Sequence, residues 1–497
     1  MISGVPGLGS KIFSGTIWTV AMRVAIRFLG IISMIILARL LEPTDFGLVA
    51  KATMIQSFLF MITELGLEPA LIRDQKSTKD HYNTVWTVHI IRGGIIGLFL
   101  AILAYPASVY LHEPRLQYII YCYALVTFFE GFYNIGVVDF RKEMNFSYDF
   151  KYNLYKKVAG FIVTISVAII WQTYWALVAG VFASLIVSLF ASFAMSSFRP
   201  KVSLSEWRAL IDFSKWYLGY EILVAVSSKI DLFILSRFST TENVGFYTIA
   251  TEVAATPSTE IAMPVSRAML PGLSKLNHDI KQFSSMYLLV LSAVLMIAIP
   301  AATGVSFLSD KITLTLLGDK WLEAIPFIQI LAFFGLSRVV NATAISALVA
   351  FNRPDILTKV AAIRTVLRVV ILSGGLYFLG VIGMVWGVLI AGLVGLIIIM
   401  FIQSRLRILP FKELIALIWR IILATLVMVA GLYFLRDTIL IDLEIHLFFS
   451  LFLEILVGAI LYGVSLMLLW YFFSKGNGPE NYILQKVFKN RWKMEKP

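Results

Sequence analysis

The chain has 497 residues, 59% hydrophobic and 14% charged, with a mean hydropathy of +0.84. A water-soluble globular domain does not carry that balance, so the chain belongs in a bilayer. A formal net charge of +12 raises nucleic acid as a partner, but the basic residues follow the membrane topology, which argues against it. The lone Cys122 excludes an intrachain disulfide and a thiolate metal cluster.

Runs long and apolar enough to span, about 17–25 residues each, fall near 12–38, 46–70, 83–110, 116–138, 154–171, 174–196, 211–236, 244–270, 286–308, 323–350, 356–379, 381–403, 413–435 and 447–473. These fourteen segments predict an all-α integral membrane protein. After Lys11 the apolar stretch runs too long for a cleavable signal, so the first helix is expected to direct insertion. With both termini cytoplasmic, the cytoplasmic connections hold 25 Lys and Arg and the opposite ones six. That asymmetry is the positive-inside signature. The longest polar connection, Asp139 to Lys157, has room for an interfacial helix and no catalytic domain.

The chain also repeats itself. Ile35-Ile36-Leu37-Ala38-Arg39-Leu40 followed by Thr44-Asp45-Phe46-Gly47 matches Phe233-Ile234-Leu235-Ser236-Arg237-Phe238 followed by Glu242-Asn243-Val244-Gly245, at an offset of 198. In both copies a span ends in Arg, and Gly follows eight residues later with an acidic residue between. Two parallel six-helix lobes are expected, 1–198 and 199–405, followed by two additional helices in 406–474 and a basic tail, 475–497. Parallel repeats relate through an axis along the membrane normal and place a substrate cleft between the lobes.

Several charges fall where lipid does not tolerate them. Arg23 and Arg27 lie four residues apart inside the first span, so their side chains share a face. A charge at that depth costs about 2.5–3.5 kcal/mol on the insertion scale. Lys51, Lys229 and Arg267 sit in the second, seventh and eighth spans, and Arg364 and Arg368, again four apart, in the eleventh. All seven are candidates for binding an anionic substrate, with a structural ion pair as the alternative. Glu64 and Glu68 on one face of the second helix, Asp231 in the seventh and Glu252 and Glu260 in the eighth are either counter-ions for these cations or a coupling site for H+ or Na+.

The eighth span carries Pro257, Pro264 and Pro271 at seven-residue spacing, and its counterpart carries Gly66 and Pro69. Kinks at matching places in two halves point to a transporter's moving parts. Trp171, Tyr174 and Trp175 suit an interfacial aromatic belt. The five histidines are dispersed and make no metal site, and no phosphate-binding glycine array or nucleophile elbow appears.

The stretches LARLLEPTDFGLVA, DFRKEMNF, KIDLFILSRF with ENVGFYTIA, and LLGDKW resemble the polysaccharide transporter branch of the multidrug/oligosaccharidyl-lipid/polysaccharide exporter superfamily. The resemblance covers nearly the whole chain. It implies a flippase, not an enzyme and without cofactor, that moves an undecaprenyl-diphosphate-linked oligosaccharide across the bacterial cytoplasmic membrane, with membrane lipids around it and polysaccharide polymerases or glycosyltransferases as partners. In such families cations on the first, second, seventh and eighth helices receive the diphosphate, a role that Arg23, Arg27, Lys51 and Arg267 match by position. A cation-coupled drug exporter of the same superfamily needs an acidic, aromatic cavity, and a membrane-embedded polymerase or glycosyltransferase needs a sizeable outer loop. The basic excess and the short loops count against both.

Overall fold

The computed structural model of the protein describes residues 8–74, 76–276, 278–439 and 446–473, with the side chains of 8–17, 20, 208–221, 257–268, 270, 271, 354, 355 and 439 outside that description. The proposed basic tail, 475–497, lies outside the described residues. The chain divides into two compact units, Met1–Gly245 and Phe246–Pro497.

The first unit holds α1 (Leu8–Leu40), α2 (Pro43–Ile62), α3 (Leu67–Arg73), α4 (Lys79–Tyr110), α5 (Leu116–Glu130), α6 (Asp139–Lys142), α7 (Phe146–Trp171), α8 (Trp175–Met195) and α9 (Trp207–Phe238). The next helix, α10 (Thr241–Ser274), begins in it and continues into the second unit. There follow α11 (Ile280–Phe307), α12 (Ser309–Ile312), α13 (Ile325–Ala350), α14 (Pro354–Arg405), α15 (Phe411–Phe434) and α16 (Leu447–Phe473). No strand occurs among the described residues.

Ten described helices are long and apolar enough to cross a bilayer, or eleven if the bent pair Leu116–Glu130 and Ile135–Lys142, 75° apart, makes one crossing. The fourteen spans read from hydropathy exceed that number by taking α14 as two crossings, the bent pair as one, and α9 and α10 as one each. The break in α14 is real: Gly380 has φ +65° and ψ −152°, a conformation open to glycine and strained for other residues.

Two boundaries differ from the hydropathy pattern. The expected span 46–70 is two elements, because Gly66 takes a left-handed φ of +64° between α2 and α3. Glu64 and Glu68 therefore do not share a helix face, as their spacing had suggested. The amphipathic run from Phe146 to Lys157 is wound into α7, so Lys151, Lys156 and Lys157 are helical residues and not loop charges. At the tight connection after Trp171, Gln172 turns left-handed at φ +50° and closes α7 with a hydrogen bond from its N–H to the Ala168 carbonyl, 3.0 Å.

The entry of α2 organises the first unit. Pro43 occupies its first turn, where no backbone donor is needed. The Asp45 carboxylate accepts the Glu42 N–H at 3.1 Å and the Tyr174 N–H at 3.1 Å, which caps α2 and pins the turn before α8. One residue beyond Phe46, a Cβ on Gly47 would stand 1.7 Å from the Thr241 carbonyl oxygen, and a Cβ on Gly245 would stand 1.9 Å from that of Pro43. The two glycines are equivalent positions of the 198-residue offset, and each meets the residue four before the other. Without a strong hydrophobic drive between helices in lipid, such small-residue contacts decide packing.

Behind this crossing, Leu48 and Ala52 of α2 pack with Leu100, Leu116, Ile119 and Ile120. In the second unit Phe283, Leu291, Ala344, Leu348 and Ile421 join α11, α13 and α15. There the buried Tyr287 hydroxyl donates to Gln403 Oε1 at 3.0 Å, and Gln403 Nε2 donates to the Ala344 carbonyl at 3.2 Å.

Overpacking a fixed backbone contact costs about 1–3 kcal/mol or more. Gly47→Val and Gly245→Val should each lower the thermal midpoint of the detergent-purified protein by several degrees. Gly94→Ala, where an added Cβ meets nothing within 4 Å, should leave it unchanged.

Candidate functional site

Most cations buried in the first unit are matched by oxygen. Arg92 of α4 reaches the Glu64 carboxylate at 2.9 Å, donates to the Phe60 carbonyl at 2.7 Å and to Thr63 Oγ1 at 3.1 Å, and lies 5.0 Å from the Phe60 ring centre. It thereby secures the last turn of α2, whose carbonyls have no intrahelical partner. Arg141 of α6 pairs with Glu68 at 2.6 Å, and the Tyr133 hydroxyl also donates to Glu68. Burial pushes the Glu68 carboxyl up, but the hydrogen bonds from Tyr133 and Arg141 and the Arg141 charge outweigh it and hold the group below its ordinary value. Glu64 and Glu68 thus each have a cation, and neither cation belongs to the set chosen from the sequence.

Lys51 is enclosed. Its side chain is 1% exposed, and the ammonium donates to Thr241 Oγ1 at 3.0 Å and to the Leu111 carbonyl at 3.4 Å. Thr241 in turn donates to Glu113 at 2.9 Å, and Glu113 pairs with Arg115 at 2.9 Å. Burial pushes the Glu113 carboxyl up; the hydrogen bonds from Arg115 and Thr241 and the charges of Arg115 and Lys51 more than reverse it, so the group stays below its ordinary value. An amine in this network is held at the helix crossing by oxygens of the protein itself.

Arg23 and Arg27 stand one turn apart on α1, Arg23 exposed and Arg27 half-buried. The helix lies along α7: the Trp18 and Phe150 rings are 5.3 Å apart, and Lys157 Nζ is 4.0 Å from where a Cβ on Gly30 would be. Nearby on α7 the Lys156 ammonium sits 4.5 Å over the Tyr152 ring. Glu130 and Asp149 act on it by charge, yet neither forms an ion pair with it among the described residues. The LYKK run held that signal, hidden because its charges looked like the end of a loop.

Lys229 of α9 lines an apolar cavity of 690 Å³, while Asp231, two residues on, is buried. Glu252 on α10 is exposed. The side chains of Glu260 and Arg267, together with those of Pro257, Pro264 and Pro271, lie outside the described residues.

In the second unit, Arg364 donates to Asn341 Oδ1 of α13, and Gly395 gives its guanidinium room, since a Cβ there would stand 2.4 Å from Nε. Arg368, one turn on, lies 5.2 Å from the Phe334 ring centre. The charge that acts on Arg364 is Arg368, a like charge; no carboxylate among the described residues does so. Two other cations of this unit have acids: Lys311 meets Glu454 and also Ser450 at 2.6 Å, and Arg436 meets Asp310. No group of three His, Cys, Asp or Glu able to hold a metal occurs among the described residues.

A family model described as polysaccharide biosynthesis protein matches residues 36–326. The chain belongs to that family. This agrees with the resemblance carried by its sequence motifs. Among polysaccharide biosynthesis proteins, it is 24% identical over 402 residues to the lipopolysaccharide biosynthesis protein WzxC of Escherichia coli, covering 80% of this chain and 82% of the relative. It is 26% identical over 317 residues to the succinoglycan biosynthesis transport protein ExoT of Rhizobium meliloti, covering 63% and 64%. Its fold is that of the lipid II flippase MurJ in an inward closed conformation, with a TM-score of 0.72 at 16% identity over 91% of this chain and 99% of the other. This family member is a multi-pass, all-α membrane protein.

Because the folded-state value of Glu113 is depressed, its stabilising contribution is present at neutral pH and is lost as pH falls through that value. Glu113→Gln should flatten the acid limb of a plot of thermal midpoint against pH, relative to the unsubstituted protein. An unchanged acid limb would show that the Lys51–Thr241–Glu113 network contributes nothing to stability.

Proposed function

We infer that the protein is a flippase that carries a polyprenyl-diphosphate-linked oligosaccharide across the bacterial cytoplasmic membrane by alternating access, for the synthesis of a surface polysaccharide. The observation that carries this inference is the pattern of charge compensation. Arg92, Arg141, Lys311 and Arg436 each face a carboxylate, whereas Arg364 is half-buried with a like charge beside it and Arg23 is exposed within a membrane-spanning helix. A guanidinium in a membrane interior calls for an anion or water, and its planar fork suits phosphate oxygens. Arg27 and Arg368 share the helices of these two residues, Arg267 falls in α10, the eighth span, and Lys156 adds an amine beside α1.

A diphosphate bearing sugars does not cross about 30 Å of hydrocarbon unaided. With the cell interior negative, outward transfer of the anionic headgroup is downhill by about 2.3 kcal/mol per charge per 100 mV. A coupling cation therefore adds driving force without being required, and Glu252, Glu260 and Asp231 remain the proposed carboxylates for it. The names of the relatives support the substrate class, since one is a succinoglycan biosynthesis transport protein and the fold is shared with a lipid II flippase. Enzymes that build and polymerise the lipid-linked glycan are the partners this function requires, and cytoplasmic termini follow from the loop charges.

Losing a charge-assisted hydrogen bond removes about 1.5–3 kcal/mol, or roughly 10- to 150-fold. Arg364→Ala, and Arg23→Ala combined with Arg27→Ala, should reduce surface polysaccharide at least that far while immunoblots show normal membrane levels. Gly395→Ala should cause a smaller loss by displacing the Arg364 guanidinium. Normal export from the double arginine variant sinks the inference.

A further inference from the structure

The 690 Å³ cavity in the first unit is walled by fourteen residues of α2, α4, α9 and the Leu111 turn. Lys229 is the one charged residue among them. The volume is within the range of about 300–1,000 Å³ typical of small-molecule sites. Its rim is aromatic: the Tyr110 and Phe233 rings stack at 6.2 Å with 25° between planes. Over that rim lies a second cation, with the Arg237 guanidinium 4.7 Å from the Tyr110 ring centre and hydrogen-bonded to His112 at 2.8 Å. Phe99, Tyr110 and Phe233 are all exposed, so the cavity is open on the side where these membrane helices meet lipid.

An apolar trough with an amine in its wall and a guanidinium at its rim has the chemistry of an anionic lipid. A lysine in such a wall can lay its butyl stem along apolar surface and raise its ammonium toward the rim. Asp231, two residues on along α9, acts on Lys229 by charge but is buried and does not line the cavity. Apart from Lys229 and the Tyr110 hydroxyl, the walls have no hydrogen-bonding side chain, which leaves nothing to recognise a sugar. We propose that this cavity is a lateral binding site for an anionic bilayer phospholipid, with one acyl chain among Met54, Phe58, Leu103 and Ile230 and the phosphodiester between Lys229 and Arg237.

Lys229, one of the seven cations that the sequence offered for the transported substrate, is assigned here to a bilayer lipid instead, and the site does not depend on the glycan. Native mass spectrometry of the full-length protein in detergent, given equimolar dioleoylphosphatidylglycerol and dioleoylphosphatidylcholine, tests it. The first bound lipid should be phosphatidylglycerol by about fivefold or more, the factor that one lysine contributes against an anionic headgroup. Lys229→Gln should erase the preference, and Val226→Trp, which fills the cavity, should reduce first-lipid occupancy for both lipids. Equal binding of the two lipids by the unsubstituted protein, an undiminished preference in Lys229→Gln, or displacement of phosphatidylglycerol by equimolar polyprenyl diphosphate would each overturn the proposal. Export of polysaccharide by the same variants is scored separately, so loss of lipid preference with export retained supports the site and leaves the transport function untouched.

Discussion

A charge placed in hydrocarbon must find an opposite charge, a polar cavity or a route to the headgroups. That constraint sorts the basic residues of this protein. Arg92 and Arg141 are fixed by carboxylates next to α2 and on α3, and Lys51 is fixed by hydroxyl and carbonyl oxygens at the helix crossing. These residues hold helices in place. Arg23 and Arg364 face no carboxylate among the described residues, and in the proposed function the anion they require comes from the substrate. The same sorting draws attention to Lys229, the one charged residue in the wall of an otherwise apolar cavity.

The backbone provides the positions on which that sorting rests. Glycine at 47 and 245 lets the starts of α2 and α10 touch backbone to backbone, and Lys51 reaches Thr241 only because those turns are so close. Glycine at 66 breaks α2 from α3 and separates two carboxylates that sequence spacing placed together, which lets each serve a different arginine. In the second unit the break at Gly380 lets the later half of α14 return so that Gly395 faces Arg364. In each case a missing Cβ permits an approach or a torsion that a side chain forbids.

Much of the fold was legible in the sequence because bilayer insertion depends on additive, local quantities. Hydropathy over a span and the Lys and Arg imbalance of the loops report membrane helices directly. The 198-residue offset, visible as Arg39 to Gly47 and Arg237 to Gly245, led to the two glycines that meet in the structure. The candidate site was legible only in part. Arg23 and Arg364 were singled out because an isolated charge in a span is anomalous whatever surrounds it. Lys156 was missed because the polar start of α7 has a loop's composition, and the oxygen partners of Lys51 were hidden because they lie 60 and 190 residues away.

By itself, then, the sequence determined the solvent this chain lives in, its helical class, its family motifs and which charges need an explanation, since these follow from the transfer energies of residues and their near neighbours. Tertiary structure alone decided which of those charges are already answered. Whether a carboxylate lies within 4 Å of a guanidinium depends on helix breaks and crossings that bring distant residues together, and electrostatic energy in a medium of low polarity changes steeply over that distance.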